Sequence, residues 1–210
     1  TTLDYFKRQD VDIKIISGDD PVTVSAIARR CHLLNYEHYI DVSSLSDEQI
    51  KEAIEKYTIF GRVSPKQKQL MVNALQENNH TVAMTGDGVN DVLALKAADC
   101  SIAMASGSDA AKSASHIVLL KNNFNAMPHI VNEGRRVINN ITASASMYLI
   151  KTIFSVVLSI GMILFGHGYP FKPIQLTVIS ACCVGIPTFF LTYEPNFKRV
   201  SGDFLKTVFK

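Results

Sequence analysis

No two of the four cysteines, Cys31, Cys100, Cys182 and Cys183, stand at a metal-ligand or disulfide-scaffold spacing, so reduced thiols are expected. Excess charge is equally scarce. A formal balance of +2 is too small to draw the chain to a nucleic-acid backbone, and no nucleic-acid partner is expected. No secretory signal opens the sequence, and its first residue is Thr1 rather than a methionine, which reads as a piece of a longer protein. Acidic residues are missing altogether from two long stretches, 147–166 and 173–193. Their absence excludes one evenly mixed core. Residues 1 to 135 have an ordinary soluble composition, and from about Tyr148 the chain turns strongly apolar.

In the soluble part, short apolar runs alternate with helical patterns. VDIKIIS (11–17), TIFGRV (58–63), HTVAMT (80–85), CSIAMA (100–105) and HIVLL (116–120) read as strands. Between them, helices are predicted over 21–34, entered through Asp20 and Pro21, over 46–57 with Ser46 as cap, and over 64–77 from a Ser-Pro start. Two more follow at 90–98 and 108–114. Strand and helix in alternation predict an open parallel sheet with helices on both faces. Ligands of such sheets collect outside the carboxyl ends of the strands, and two acidic turns, SGDD and TGDGVND, fall there.

The second turn crowds Asp87, Asn90 and Asp91 around a glycine-flanked aspartate. Hard cations such as Mg²⁺ take oxygen ligands, typically one or two carboxylates completed by phosphate oxygens and water. Glycines on each side of Asp87 are expected to let the backbone turn sharply and a ligand approach closely. The plainer reading makes Asp87 a strand end and Asp91 a first-turn helix residue. The whole heptad favours the ion.

TGDGVND resembles the hinge motif of P-type ATPases, membrane pumps whose phosphorylation domain has a haloacid-dehalogenase-like fold. Other segments follow in that family's order. ISGDD (16–20) resembles its TGD segment, with Ser17 in place of threonine. GRVSPKQK (61–68) resembles its R-V-x-P-x-x-K segment, and NNFNAMPHIVNEGRRVINNI (122–141) the approach to its fifth transmembrane helix. The resemblance implies a Mg²⁺ ligand at Asp87, with Asn90 and Asp91 supporting the phosphoryl site. It implies Ser17, Gly18 and Lys68 as contacts to the transferred phosphoryl group, where donors and positive charge stabilise the transition state. Asp19 and Arg62 fall nearer the nucleotide, so ATP and Mg²⁺ are the expected cofactors. Lys66, Lys96 and Lys112 read as surface charges.

The same family carries its acceptor aspartate in D-K-T-G-T and a dephosphorylation segment T-G-E-S, and neither string occurs here. A nucleotide-binding domain is not recognisable either. The missing amino-terminal part of the same pump is therefore an expected partner.

Both acid-free stretches, at ~1.5 Å of rise per residue, are long enough to span a bilayer. They join through a short loop, HGYPFKP, as a hairpin matching the fifth and sixth transmembrane helices. Arg135 and Arg136 precede the pair, Lys198, Arg199, Lys206 and Lys210 follow it, and the loop has only Lys172. This bias predicts a cytoplasmic sheet domain in a multi-pass protein of the cell membrane, in contact with lipid. Gly185 and Pro187 interrupt the second span, where transporters often build substrate sites. Val184 stands where many cation pumps have the coordinating aspartate, and Ile153 and Val156 where calcium-type pumps carry Asn and Glu. A carboxylate-rich, two-ion calcium site is not expected, and the transported ion or other small substrate is left open. Lys151 either faces the membrane pathway or snorkels to the headgroups. Cys182 and Cys183 are either soft-metal ligands or packing residues.

The predicted architecture is a partial α/β, Rossmann-like parallel sheet of the haloacid-dehalogenase type, followed by a transmembrane hairpin. Its divisions are 1–133 for the carboxy-terminal part of the phosphorylation domain and 134–146 for a helical stalk. The helix pair takes 147–194 and a cytoplasmic basic tail 195–210. The function implied is part of an ATP-driven ion-transporting ATPase. A membrane-anchored Mg²⁺-dependent phosphatase, with a D-x-D nucleophile elsewhere, is the alternative, and a non-catalytic interaction module is a third. With no acceptor aspartate motif, the 210-residue chain purified alone is expected to form no acid-stable phosphoenzyme from labelled ATP and Mg²⁺. Turnover well above a buffer control, contaminants excluded, refutes a divided site.

Overall fold

The computed structural model describes residues 2–166 and 168–200. Lys206 and Lys210 of the predicted basic tail lie outside the described residues. The chain divides into two compact units, Thr1–Pro128 and His129–Lys210.

The first unit is built of parallel strands and helices. In chain order its elements are α1 (Thr2–Lys7), β1 (Ile15–Ile16), α2 (Pro21–Arg30), β2 (Tyr39–Asp41), α3 (Asp47–Lys56) and β3 (Ile59–Gly61). Then come α4 (Pro65–Glu77), β4 (Ala83–Gly86), a 3₁₀ turn at Val89–Asp91, α5 (Val92–Ala97), β5 (Cys100–Met104), α6 (Asp109–Ala114) and β6 (Ile117–Leu119). Every strand pairing is parallel, as the alternating pattern requires. The strands form two groups of three, in the orders β1-β3-β2 and β4-β5-β6. Thus β1 and β4 each have one partner strand and one open edge among the described residues. The strands are shorter than their apolar runs, and β1 has only two residues with β3 as its one partner.

Caps set the helix starts. The Asp20 carboxylate accepts the N–H groups of Val22 and Thr23 at 3.0 and 3.4 Å, and Pro21 occupies the first turn. Ser46 with Gln49, and Ser64 with Gln67, close reciprocal capping boxes. Both α1 and β2 escaped the sequence pattern. Three residues of an outer strand, YID, are too short and too polar to alternate recognisably.

Helix α4 joins the two strand groups. Met71 and Ala74 pack into a core with Val42, Ile50, Ile54 and Phe60, while Val72 packs with Val82, Ala94 and Ala98. Burying each large apolar side chain contributes about 1.5–3 kcal/mol, so one helix face stabilises both groups.

The second unit is helical. From a 3₁₀ turn at Phe124–Ala126, at the end of the first unit, the chain passes into α7 (Met127–Leu164), a single unbroken helix through the predicted stalk and first span. Its hydroxyls bond to carbonyls one turn earlier, as in Thr142 to Ile138, Ser146 to Thr142 and Ser159 to Ser155, each at 2.8 Å. These polar side chains therefore sit in an apolar helix with their donors satisfied. The second span is α8 (Pro173–Ser180), a π-helical turn at Ala181–Gly185 and α9 (Ile186–Leu191). Pro187 supplies no N–H, and the Ile186 N–H reaches back to Ala181 O, widening the turn. Both helical segments are long and apolar enough to cross a membrane, with mean hydropathies of 2.0 and 1.9 over an 18-residue stretch of each.

Candidate phosphoryl site

Two groups of polar residues gather at the carboxyl ends of the strands, one on each strand group. On the first, the Ser17 N–H donates to Phe60 O at 2.9 Å and Val63 N–H donates to Ser17 O at 3.0 Å. Ser17 is thereby locked to the end of β3. Its hydroxyl donates to Asp19 Oδ2 at 3.0 Å, and the Asp19 N–H returns a bond to Ser17 Oγ at 3.2 Å. Around Gly18 there is room: an added Cβ would meet only Val63 O, at 3.9 Å.

Arg62 sits in the left-handed region, at φ 54°, a conformation that is costly for a side chain of its size. Its N–H donates to Asp19 O at 2.8 Å, which holds the turn. The guanidinium lies between two carboxylates, 3.1 Å from Asp20 Oδ2 and 3.5 Å from Asp41 Oδ2. The Ser43 hydroxyl and N–H on Asp41, reinforced by Arg62, hold its carboxyl below the usual carboxylate range. Neither Asp20, read as a helix cap, nor Asp41 was among the predicted site residues. Asp41 ends a strand just as the two acidic turns do, but β2 itself went unread.

On the second group, Lys68 Nζ donates to Asp91 Oδ1 at 2.7 Å, and these side chains are only 12% and 11% exposed. The Gly88 N–H donates to Asp91 Oδ2 at 3.1 Å, so both carboxylate oxygens are engaged. Asp91 is consequently a residue that holds Lys68 in place. The glycines beside Asp87 do not serve a left-handed turn, since only Gly166 among the described glycines has positive φ. For Gly86 the reason is proximity: a Cβ there would lie 2.6 Å from Asp91 Cβ, whereas one on Gly88 would come no nearer than 3.4 Å, to Asp91 Oδ2.

Asp87 and Asn90 are exposed, and the Asp87 carboxylate makes no hydrogen bond or ion pair among the described residues. An uncommitted carboxylate suits a hard cation that takes its other oxygens from phosphate and water. No group of three or more His, Cys, Asp or Glu able to hold a metal occurs among the described residues. A hard cation at Asp87 would therefore take most of its oxygens from outside these residues. Lys66 and Lys96 are exposed, and Lys112 pairs with Asp109 at 2.8 Å.

Residues 1–99 match the haloacid dehalogenase-like hydrolase family. The chain is 49% identical to the probable cation-transporting ATPase exp7 of Streptococcus pneumoniae, over 98% of this chain and 27% of that protein. It is 45% identical to the calcium-transporting ATPase CtpE of Mycobacterium bovis, over 99% of this chain and 27% of the other. The fold resembles the crystal structure of a zinc-transporting PIB-type ATPase in an E2.Pi state, with TM-score 0.65 and 22% identity over 91% of this chain and 26% of that one. The chain therefore spans about a quarter of the length of the curated relatives it matches.

The buried pair yields a stability test. Asp91→Asn leaves the Lys68 ammonium without a counter-charge, and removing one partner of a buried pair costs about 3–5 kcal/mol. A loss of about 3 kcal/mol is expected in urea unfolding in detergent, with more than half of it recovered on adding Lys68→Met. An unchanged midpoint in Asp91→Asn contradicts the pairing.

Proposed function

We infer that this P-type ATPase segment contributes the Mg²⁺-binding and phosphoryl-orienting half of a pump's catalytic site, together with two helices of its membrane pathway. The observations that carry the reading are the Asp87 carboxylate, free among the described residues, and the Lys68–Asp91 pair, both carboxylates following the carboxyl end of an open-edged parallel strand. Parallel strands are ordinarily covered, yet Ala83 and Thr85 of β4 are exposed. An aspartate-bearing strand from the amino-terminal part of the pump pairs with the open edges of β1 and β4. Its carboxylate is the group that ATP phosphorylates. Ligands of open parallel sheets bind where the strand order reverses, and such an insertion makes that position the reaction centre.

In the assembled site, Lys68 presents its ammonium to the transferred phosphoryl group, held by Asp91 at the required place. From the end of β1 the Gly18 N–H, and the Ser17 hydroxyl once turned away from Asp19, supply donors to the same group, and Asn90 supports it from the 3₁₀ turn. Asp19 and Arg62 lie toward the nucleotide, Arg62 being aligned by Asp20 and Asp41. Asp87 is the protein's ligand for Mg²⁺, which neutralises charge developing on phosphate oxygens. The sheet unit is cytoplasmic, the helices lie in the cell membrane among lipids, and phosphorylation is relayed through the 134–141 part of α7.

The transported substrate is a cation, and calcium is the first to test because it is named for the CtpE relatives. These spans bring no carboxylate to it. Hydroxyls of Thr177 and Ser180 and carbonyls near Pro187 provide dipoles only, so other helices must supply the charge.

In the full-length pump, Asp87→Asn is expected to lose most Mg²⁺-dependent phosphorylation, with Lys96→Ala near neutral. Normal phosphoenzyme in Asp87→Asn at limiting Mg²⁺ eliminates the metal role. For the substrate, Ca²⁺-stimulated ATPase activity is expected to follow a single-site curve. Cooperative, two-site activation at micromolar Ca²⁺ would count against a pathway built from these two spans.

A further inference from the structure

Asp87 is held by a loop to which no residue of the proposed site belongs. Its backbone carbonyl accepts the Ser108 N–H at 2.8 Å. Gly107 lies directly against it: a Cβ there would stand 2.8 Å from Asp87 O, 3.0 Å from Asp87 Cα and 3.0 Å from Met104 O. All three are backbone atoms, so no side chain can swing aside to make room. Gly107 has no positive φ, and its requirement is therefore one of space.

The loop is itself fastened on both sides. The Ser108 hydroxyl accepts the Ala111 N–H at 3.2 Å, capping α6. Lys112 Nζ reaches Ala105 O at 3.4 Å. Ahead of Gly107, the Ser106 N–H donates to Asn122 Oδ1 at 2.8 Å. Asn122 is in the left-handed region at φ 49°, a conformation that asparagine tolerates, and its own N–H bonds Leu119 O at 3.1 Å. The next residue, Asn123, caps the 3₁₀ turn that opens into α7.

We propose that Gly107 and Ser108 are positioning residues for the Asp87 carboxylate, and that Asn122 anchors their loop to the segment entering α7. The proposal rests on Asp87 being the Mg²⁺ ligand. The physical reason is rigidity: a ligand's supporting contacts fix its direction, and losing them typically weakens metal affinity about 10–100-fold. With Asp87 displaced by a few tenths of an ångström the carboxylate still exists but is misaimed.

Two measurements on the detergent-solubilised full-length pump test this. The first is the Mg²⁺ concentration for half-maximal phosphorylation by ATP, compared with the maximal phosphoenzyme level. The second is backbone hydrogen exchange of the 104–109 segment without Mg²⁺ or nucleotide, which reports the Ser108 bond directly. Gly107→Ala is expected to raise the Mg²⁺ requirement at least about tenfold, with a smaller change in maximal level, and to speed exchange at Ser108. Asn122→Ala is expected to do both more weakly, while Asn122→Asp, which keeps an oxygen acceptor, restores the parent values. Should Gly107→Ala fail to fold, the Asn122 pair decides. An unaltered Mg²⁺ requirement and exchange rate in folded Gly107→Ala, or identical behaviour of Asn122→Ala and Asn122→Asp, overturns the proposal. If Asp87→Asn itself keeps a normal Mg²⁺ requirement, the metal reading beneath it falls, whereas the exchange result still stands or fails alone.

Discussion

The ion pair between Lys68 and Asp91 joins two strand groups that share no strand-to-strand hydrogen bond among the described residues. Lys68 begins on the helix that follows β3, and Asp91 closes the turn that follows β4, so the contact ties one group to the other at the end where chemistry is expected. Helix α4 makes the tie geometrically possible. Its Met71 and Val72 enter different cores, which fixes the helix and hence the ammonium. The remaining features of the turn follow from Asp91. Gly86 is small because Asp91 Cβ is beside it, and the Gly88 N–H is spent on the second carboxylate oxygen. Asp87, on the same turn, is left with its carboxylate free among the described residues.

Arg62 shows a different balance. A left-handed arginine costs energy, and the structure offsets it with one backbone bond to Asp19 and two carboxylates. More than half of that side chain is exposed, so these surface pairs orient the guanidinium more than they stabilise the fold. Under the proposal that Arg62 faces an anionic nucleotide, orientation is the useful quantity.

The helical unit solves another problem, that of polar groups in an apolar setting. Several hydroxyls along α7 and α8 bond back to their own helices, while the Thr188 hydroxyl of α9 is buried without a partner among the described residues. The end of the second span is closed by side chains from the stalk part of α7. Arg136 Nη1 donates to Thr192 O at 2.6 Å, Asn140 to Glu194 O at 3.0 Å, and Asn139 to Asn196 O at 3.1 Å and Lys198 O at 2.9 Å. Carbonyls that lack helical partners after α9 are thus satisfied by α7. Glu133 holds the other side of the Arg136 guanidinium, keeping it aimed.

Local pattern was enough for whatever depends on neighbours in the chain. The alternation of strands and helices, the caps at Asp20, Ser46 and Ser64, the two acid-free spans and the interruption near Pro187 are all written within a few residues. So is the grouping of acidic turns at strand ends, which marked Ser17, Asp19, Asp87 and Asp91. Assignments within the site needed distances that no short window contains. Asp91 and Lys68 are 23 positions apart, and only the folded chain spends that carboxylate on that lysine. Asp41 joined Arg62 through a strand too short to recognise. Gly107 resembled any loop glycine until the Asp87 backbone lay against it. One parallel sheet was legible, but its division into two groups was not, because strand adjacency is set by hydrogen bonds between segments remote in sequence. Local propensity acts over a turn or a strand; packing and ion pairing act through space, and they alone decided which of the marked residues face one another.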